Sequence, residues 1–93
     1  MGNPQVISRE FTVKNKYGIH ARPAALLVKA AGKFSSEILI GKKGSEVSAK
    51  SIMGLLTIEG HHGATLFVHT QGDDAHAAMA EIAELFENKF FED

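Results

Sequence analysis

The spacing of apolar residues changes period several times along the chain, and each change marks an element. Residues 5–14 end in alternation, with Phe11 and Val13 on one side and Thr12 and Lys14 on the other, the period of a strand. Asn15-Lys16-Tyr17-Gly18 interrupts the alternation as a turn, in which Gly18 is free to take a positive φ. From Ala21 the spacing becomes helical. Ala24, Leu27, Val28 and Ala31 share a face, and Gly32 stands at the end beside Lys33, so a helix is predicted over about 21–32.

Alternation returns around Ile38 and Ile40, predicting a second strand over 36–42. Gly41-Lys42-Lys43-Gly44 follows as a hairpin connection and Glu46-Val47-Ser48 as a short return strand. Ser51-Ile52-Met53-Gly54-Leu55-Leu56 fits a helix of one or two turns capped by Ser51. Gly60-His61-His62-Gly63 is a loop. Beyond it, Leu66, Val68 and Thr70 alternate with Phe67, His69 and Gln71 as a fourth strand. Asp73 or Asp74 then caps a last helix. Its inward stripe is Ala75, Ala78, Met79, Ile82, Ala83 and Phe86, with Glu81, Glu84 and Glu87 toward water. The order β-α-β-β-α-β-α predicts an α+β fold, one sheet covered on one face by helices.

Composition narrows the function classes. Ninety-three residues suit a single domain over 1–93, and 44% hydrophobic with 23% charged residues is the balance of a folded chain. The absence of cysteine removes disulfides, thiolate metal sites and a thiol nucleophile. Apolar stretches are short and interrupted by charge, and the N-terminus lacks the pattern of a signal peptide; a cytoplasmic protein with no membrane insertion is expected. His61, His62 and His69 match no common ligand spacing, so no metal or cofactor is expected. His76 is expected to be exposed, and Phe86, Phe90 and Phe91 to pack.

The net charge of −1 hides an asymmetry. Residues 1–50 carry nine of the ten basic side chains against three acids, a net +6, and residues 51–93 carry one against eight, a net −7. Nucleic acid is not the expected partner of the basic part, because its cations are dispersed and no aromatic-basic interleaving accompanies them. The acidic end, Glu87 to Asp93, reads as a solvated tail turned away from partners.

The chemistry concentrates in Gly18-Ile19-His20-Ala21-Arg22-Pro23-Ala24-Ala25. Pro23 falls in the first helical turn, where a missing N–H costs nothing, and this places His20 at or near the N-cap. The helix start presents unpaired N–H groups and the positive end of the macrodipole, which together attract anions. That field disfavours an imidazolium ion and leaves a neutral, nucleophilic nitrogen available. Arg22 adds a fork of donors suited to phosphate oxygens. Such a site suits phosphohistidine better than a free cation.

These residues resemble the active-site signature of the HPr family, the histidine-containing phosphocarriers of the bacterial phosphotransferase system. Lys50-Ser51-Ile52-Met53-Gly54-Leu55-Leu56 is similar to that family's regulatory serine segment, and the likeness covers almost the whole chain. The resemblance implies an open-faced β-sandwich, with an antiparallel sheet in the order 1-4-2-3 under three helices. It implies that His20 takes a phosphoryl group from phosphorylated enzyme I, charged by phosphoenolpyruvate, and passes it to the A component of a sugar permease. Arg22 would stabilise the group in transit, and the protein would be a carrier and not an enzyme. In some members a serine kinase/phosphorylase modifies the residue matching Ser51, and a transcription regulator is then a further partner.

Ile52, Met53, Leu55 and Leu56 cannot all face inward from so short a helix. Ile52 and Met53 are expected at a partner interface with Lys29 and Lys50, and Leu55 and Leu56 over the sheet. Lys29, Lys33 and Lys50 are expected to gather around His20 if the fold places them together. A monomer is expected. Two alternatives stay open: a carrier of the nitrogen-related branch, which the acidic, Phe-rich end resembles, and a purely regulatory serine-phosphorylated module.

Overall fold

The computed structural model describes residues 6–92, so Gln5 of the first strand and Asp93 of the tail lie outside the described residues. Strand β1 (Val6–Thr12) leads through a turn to helix α1 (Ala21–Ala31), then strands β2 (Glu37–Gly41) and β3 (Val47–Ser48). Helix α2 (Ile52–Leu55), strand β4 (Thr65–Gln71) and helix α3 (Ala75–Glu87) follow, and a single turn, Lys89–Phe91, ends the chain. The sheet is antiparallel throughout in the order β1-β4-β2-β3, the open-faced α+β sandwich expected.

Register explains the burial pattern. Phe11 pairs with Leu66, and Val68 lies between Arg9 and Ile40. Alternation therefore sends Leu66, Val68 and Thr70 toward the helices together with Ile38 and Ile40, and all five are buried. Leu27 of α1 and Ile82 of α3 close the core from above, both fully buried. Each such aliphatic side chain contributes about 1.5–3 kcal/mol on leaving water. On the open face, Ser8 Oγ lies 2.7 Å from His69 Nδ1, and His69 Nε2 lies 3.2 Å from the Glu46 carboxylate. This uses His69 as a cross-strand contact well apart from His61 and His62, which are exposed in their loop.

Several boundaries and side chains differ from expectation for physical reasons. Val13 is buried as predicted but has left the strand ladder: its N–H reaches the Ala64 carbonyl and its carbonyl accepts the Gly63 N–H, both at 2.8 Å. Asp74 is the N-cap of α3, yet its side chain makes no capping bond. It accepts instead from the Ser36 hydroxyl and from the backbone N–H groups of Ser35 and Ser36, tying α3 to the start of β2. The Ser36 hydroxyl first, then the Ser35 N–H, push its carboxyl down to about 2 against the opposing effect of burial. Glu81 of α3, expected to face water, pairs at 2.6 Å with Lys33, just past the end of α1. Leu56 is exposed, not packed over the sheet. It follows the end of α2, about 100° around the axis from buried Leu55, so only one of the two can point inward.

Candidate functional site

The site is built from three segments that meet at the start of α1. Gly18 adopts φ +69°, and a Cβ there would run into the Gly60 carbonyl oxygen. That carbonyl accepts the Ile19 N–H at 2.8 Å, so the loop before β4 fixes the backbone just ahead of His20. Asn15 is fully buried, and its Nδ2 donates to the Gly18 carbonyl at 2.7 Å, bracing the turn from the other side.

His20 is the N-cap of α1, with an extended backbone and a carbonyl that accepts the first helical bond, from the Ala24 N–H at 3.0 Å. The amides of Ala21 and Arg22 precede that bond, and Pro23 has no N–H to leave unpaired. The His20 side chain makes no capping bond and stands 41% exposed. Tyr17 meets it edge-on, with ring centroids 6.3 Å apart. Arg22, exposed on the first turn, lines a shallow cavity of about 420 Å³ with Lys16, Tyr17, Phe91 and Glu92.

The third segment is one that sequence reasoning missed. The chain past Glu87 is not a solvated tail through Glu92. Lys89, Phe90 and Phe91 take φ of 52°, 53° and 58°, three consecutive left-handed residues, none of them glycine. Such a conformation costs about 1–2 kcal/mol per residue. Phe90 offsets this cost by burying its ring completely, edge-on to Phe86 at 4.9 Å between centroids, while Phe86 stacks on Phe11. Phe91, expected to pack, is turned out by the same bend and is 61% exposed. Next along, Glu92 folds back so that its carboxylate lies 2.9 Å and 3.2 Å from His20 Nε2. Asn15 Nδ2 donates to the same carboxylate at 3.0 Å. Burial opposes ionisation of Glu92, but the Asn15 and His20 hydrogen bonds and the charges of His20 and Arg22 prevail and hold its carboxyl below the usual range. Phe90 packs as its aromatic character predicts, though beyond the end of α3 and not on a continued helical face; nothing in the pattern of charges marks the contact of Glu92 with His20.

The remaining candidates lie elsewhere. Ser51 caps α2, its Oγ accepting the Gly54 N–H at 3.1 Å, and it is exposed. Ile52, Met53 and Leu56 present apolar surface beside it, with Met53 72% exposed. Lys50 Nζ donates to the Phe34 carbonyl at 2.8 Å, just past the end of α1. Lys29 is in the last turn of α1, about 13 Å along the axis from His20 at 1.5 Å per residue. Lys29, Lys33 and Lys50 thus belong to the far end of α1 and the α1–α3 contact, while Lys16 and Arg22 supply the cations nearer His20. Among the described residues no helix is long and apolar enough to cross a membrane.

Residues 7–88 match the family model for the PTS HPr component phosphorylation site. The phosphocarrier protein HPr of Xylella fastidiosa is 46% identical over 88 residues, covering 95% of this chain and 99% of that protein. The HPr-like protein Crh of Halalkalibacterium halodurans is 42% identical, covering 90% of this chain and all of its own. The crystal structure of HPr-C-His from Thermoanaerobacter tengcongensis superposes with a TM-score of 0.89 at 41% identity, over 94% of this chain and 98% of that one. The chain therefore belongs to the HPr family, the phosphocarrier proteins of the phosphotransferase system.

Proposed function

We propose that this protein accepts a phosphoryl group on His20 from phosphorylated enzyme I and passes it to the A component of a sugar permease. The observation that carries the reading is the His20 imidazole at the N-cap of α1, part-exposed and free of any capping bond. A phosphoryl group on that ring meets the positive end of the helix, with the Arg22 guanidinium on the same first turn as a further donor. The protein is then the shared substrate of two enzymes and works without a cofactor, in the cytoplasm and as a monomer.

Partners dock on the apolar surface of Ile52 and Met53, with Leu56 beside them and Lys29 and Lys50 toward the end of α1. Phosphorylation of Ser51 by a serine kinase/phosphorylase places a dianion beside that surface, repels acidic partner groups and slows transfer to His20. A helix N-terminus tolerates the added charge, so the effect is on association and not on folding.

Incubation with phosphoenolpyruvate and enzyme I tests the carrier reading. It predicts a phosphate that is acid-labile and base-stable and that His20→Ala abolishes; no label with a competent enzyme I overturns it. For the serine, ATP and the kinase are expected to give an alkali-labile phosphate absent from Ser51→Ala. Labelling that persists in that variant excludes Ser51 as the main site.

A further inference from the structure

We infer that Glu92 is a positioning residue for phosphoryl uptake: it accepts the Nε2 proton of His20 and so presents Nδ1 as the nucleophile. The inference rests on the carrier reading and adds a residue beyond the 7–88 span that matches the family model. Both carboxylate oxygens lie within hydrogen-bond distance of Nε2, at 2.9 and 3.2 Å. A carboxylate only accepts, so the contact selects the tautomer whose proton is on Nε2 and whose lone pair is on Nδ1.

The carboxylate is itself held. Buried Asn15 donates to it at 3.0 Å and to the Gly18 carbonyl at 2.7 Å, so one amide ties the tail to the turn that shapes the entrance to α1. Phe90 anchors the left-handed turn that delivers Glu92, and the Glu92 side chain is only 14% exposed. The arrangement follows the logic of a carboxylate behind a catalytic histidine, where the acid orients the ring and balances its charge.

The chemistry gives that balance a purpose. In uptake, the Nδ1 lone pair attacks phosphorus, an N–P bond forms, and the bond from phosphorus to the donor breaks with its electron pair remaining on the donor. Nε2 keeps its proton throughout, so the ring acquires formal positive charge as the bond forms. The Glu92 carboxylate faces that charge at hydrogen-bond distance, and its interaction with the ring strengthens toward the transition state.

Two variants separate the hydrogen bond from the charge. Glu92→Ala removes the acceptor, whereas Glu92→Gln keeps an acceptor oxygen without the charge. Long-range ¹H–¹⁵N spectra, recorded where the His20 ring is neutral, report its tautomer, and single-turnover uptake from phosphorylated enzyme I reports the rate. The wild type is expected to show the Nε2–H tautomer. Glu92→Ala is expected to shift the tautomer populations away from the wild-type excess of Nε2–H toward those of a solvated histidine and to slow uptake by about tenfold, and Glu92→Gln to keep the wild-type populations and recover part of the rate. An unchanged tautomer in Glu92→Ala, or uptake as fast as or faster than wild type, overturns the role of Glu92 and leaves the carrier reading standing. A wild type that takes up no phosphate overturns the carrier reading itself.

Discussion

The Gly60 carbonyl oxygen accepts the Ile19 N–H at 2.8 Å and occupies the space where a side chain on Gly18 would begin. Two glycines from distant parts of the chain thus fix the backbone that precedes His20. Gly60 is constrained too, since a Cβ there would press on the Ile19 side chain. The loop that carries His61 and His62 therefore serves the site through its backbone, whatever its side chains do.

Replacing Gly18 with alanine combines a left-handed φ with a clash against backbone, which has little room to yield. Gly18→Ala is expected to destabilise the protein by about 2–4 kcal/mol. A denaturant midpoint that falls at unchanged slope verifies this; a midpoint equal to wild type contradicts the close approach of the two loops.

The two phenylalanines of the terminal turn differ in what they hold. Phe90→Ala removes a fully buried ring and is expected to cost about 3–5 kcal/mol, whereas Phe91→Ala removes an exposed one and is expected to stay within about 0.5 kcal/mol. Phe90→Ala is also expected to release Glu92 from His20, seen as a change in the His20 ring resonances at neutral pH. Equal, small effects of the two substitutions would show that the turn does not pack as described.

Asp74 gives acid sensitivity a specific source. Its carboxyl is lowered from 3.8 to about 2 by the Ser36 hydroxyl and then the Ser35 N–H. A depressed carboxyl stabilises the fold above its unfolded value and loses that contribution as pH falls through its folded value. Asp74→Ala is therefore expected to melt below wild type at neutral pH, with the gap narrowing between about pH 4 and pH 2. A gap that does not change with pH would assign the loss to packing and not to the carboxylate.

Local rules made much of the fold and the centre of the site legible. The change from alternation to helical spacing placed α1 within one residue of its observed end, and Pro23 with the turn before it put His20 at the N-cap. Ser51 caps α2 as its residue type predicts. The sheet order came from family resemblance, since periodicity alone does not say which strands are neighbours. The terminal turn was not legible. Three left-handed residues without glycine contradict local preference and persist because Phe90 finds a place in the core, a long-range cause that no short window contains. The division of charge misled for the same reason: Glu81 and Glu92, from the acidic part, pair with Lys33 and His20 of the basic part.

The central claim is that His20 carries a phosphoryl group in transit, and a chase of the isolated intermediate tests it most directly. The protein is loaded from labelled phosphoenolpyruvate through enzyme I, separated from its donor, and mixed with the A component of a sugar permease. The account predicts that the label is on His20 before mixing, moves to the A component after it, and never loads on His20→Ala. A label located on another residue, or one released only as inorganic phosphate while a competent A component stays unlabelled, would contradict it.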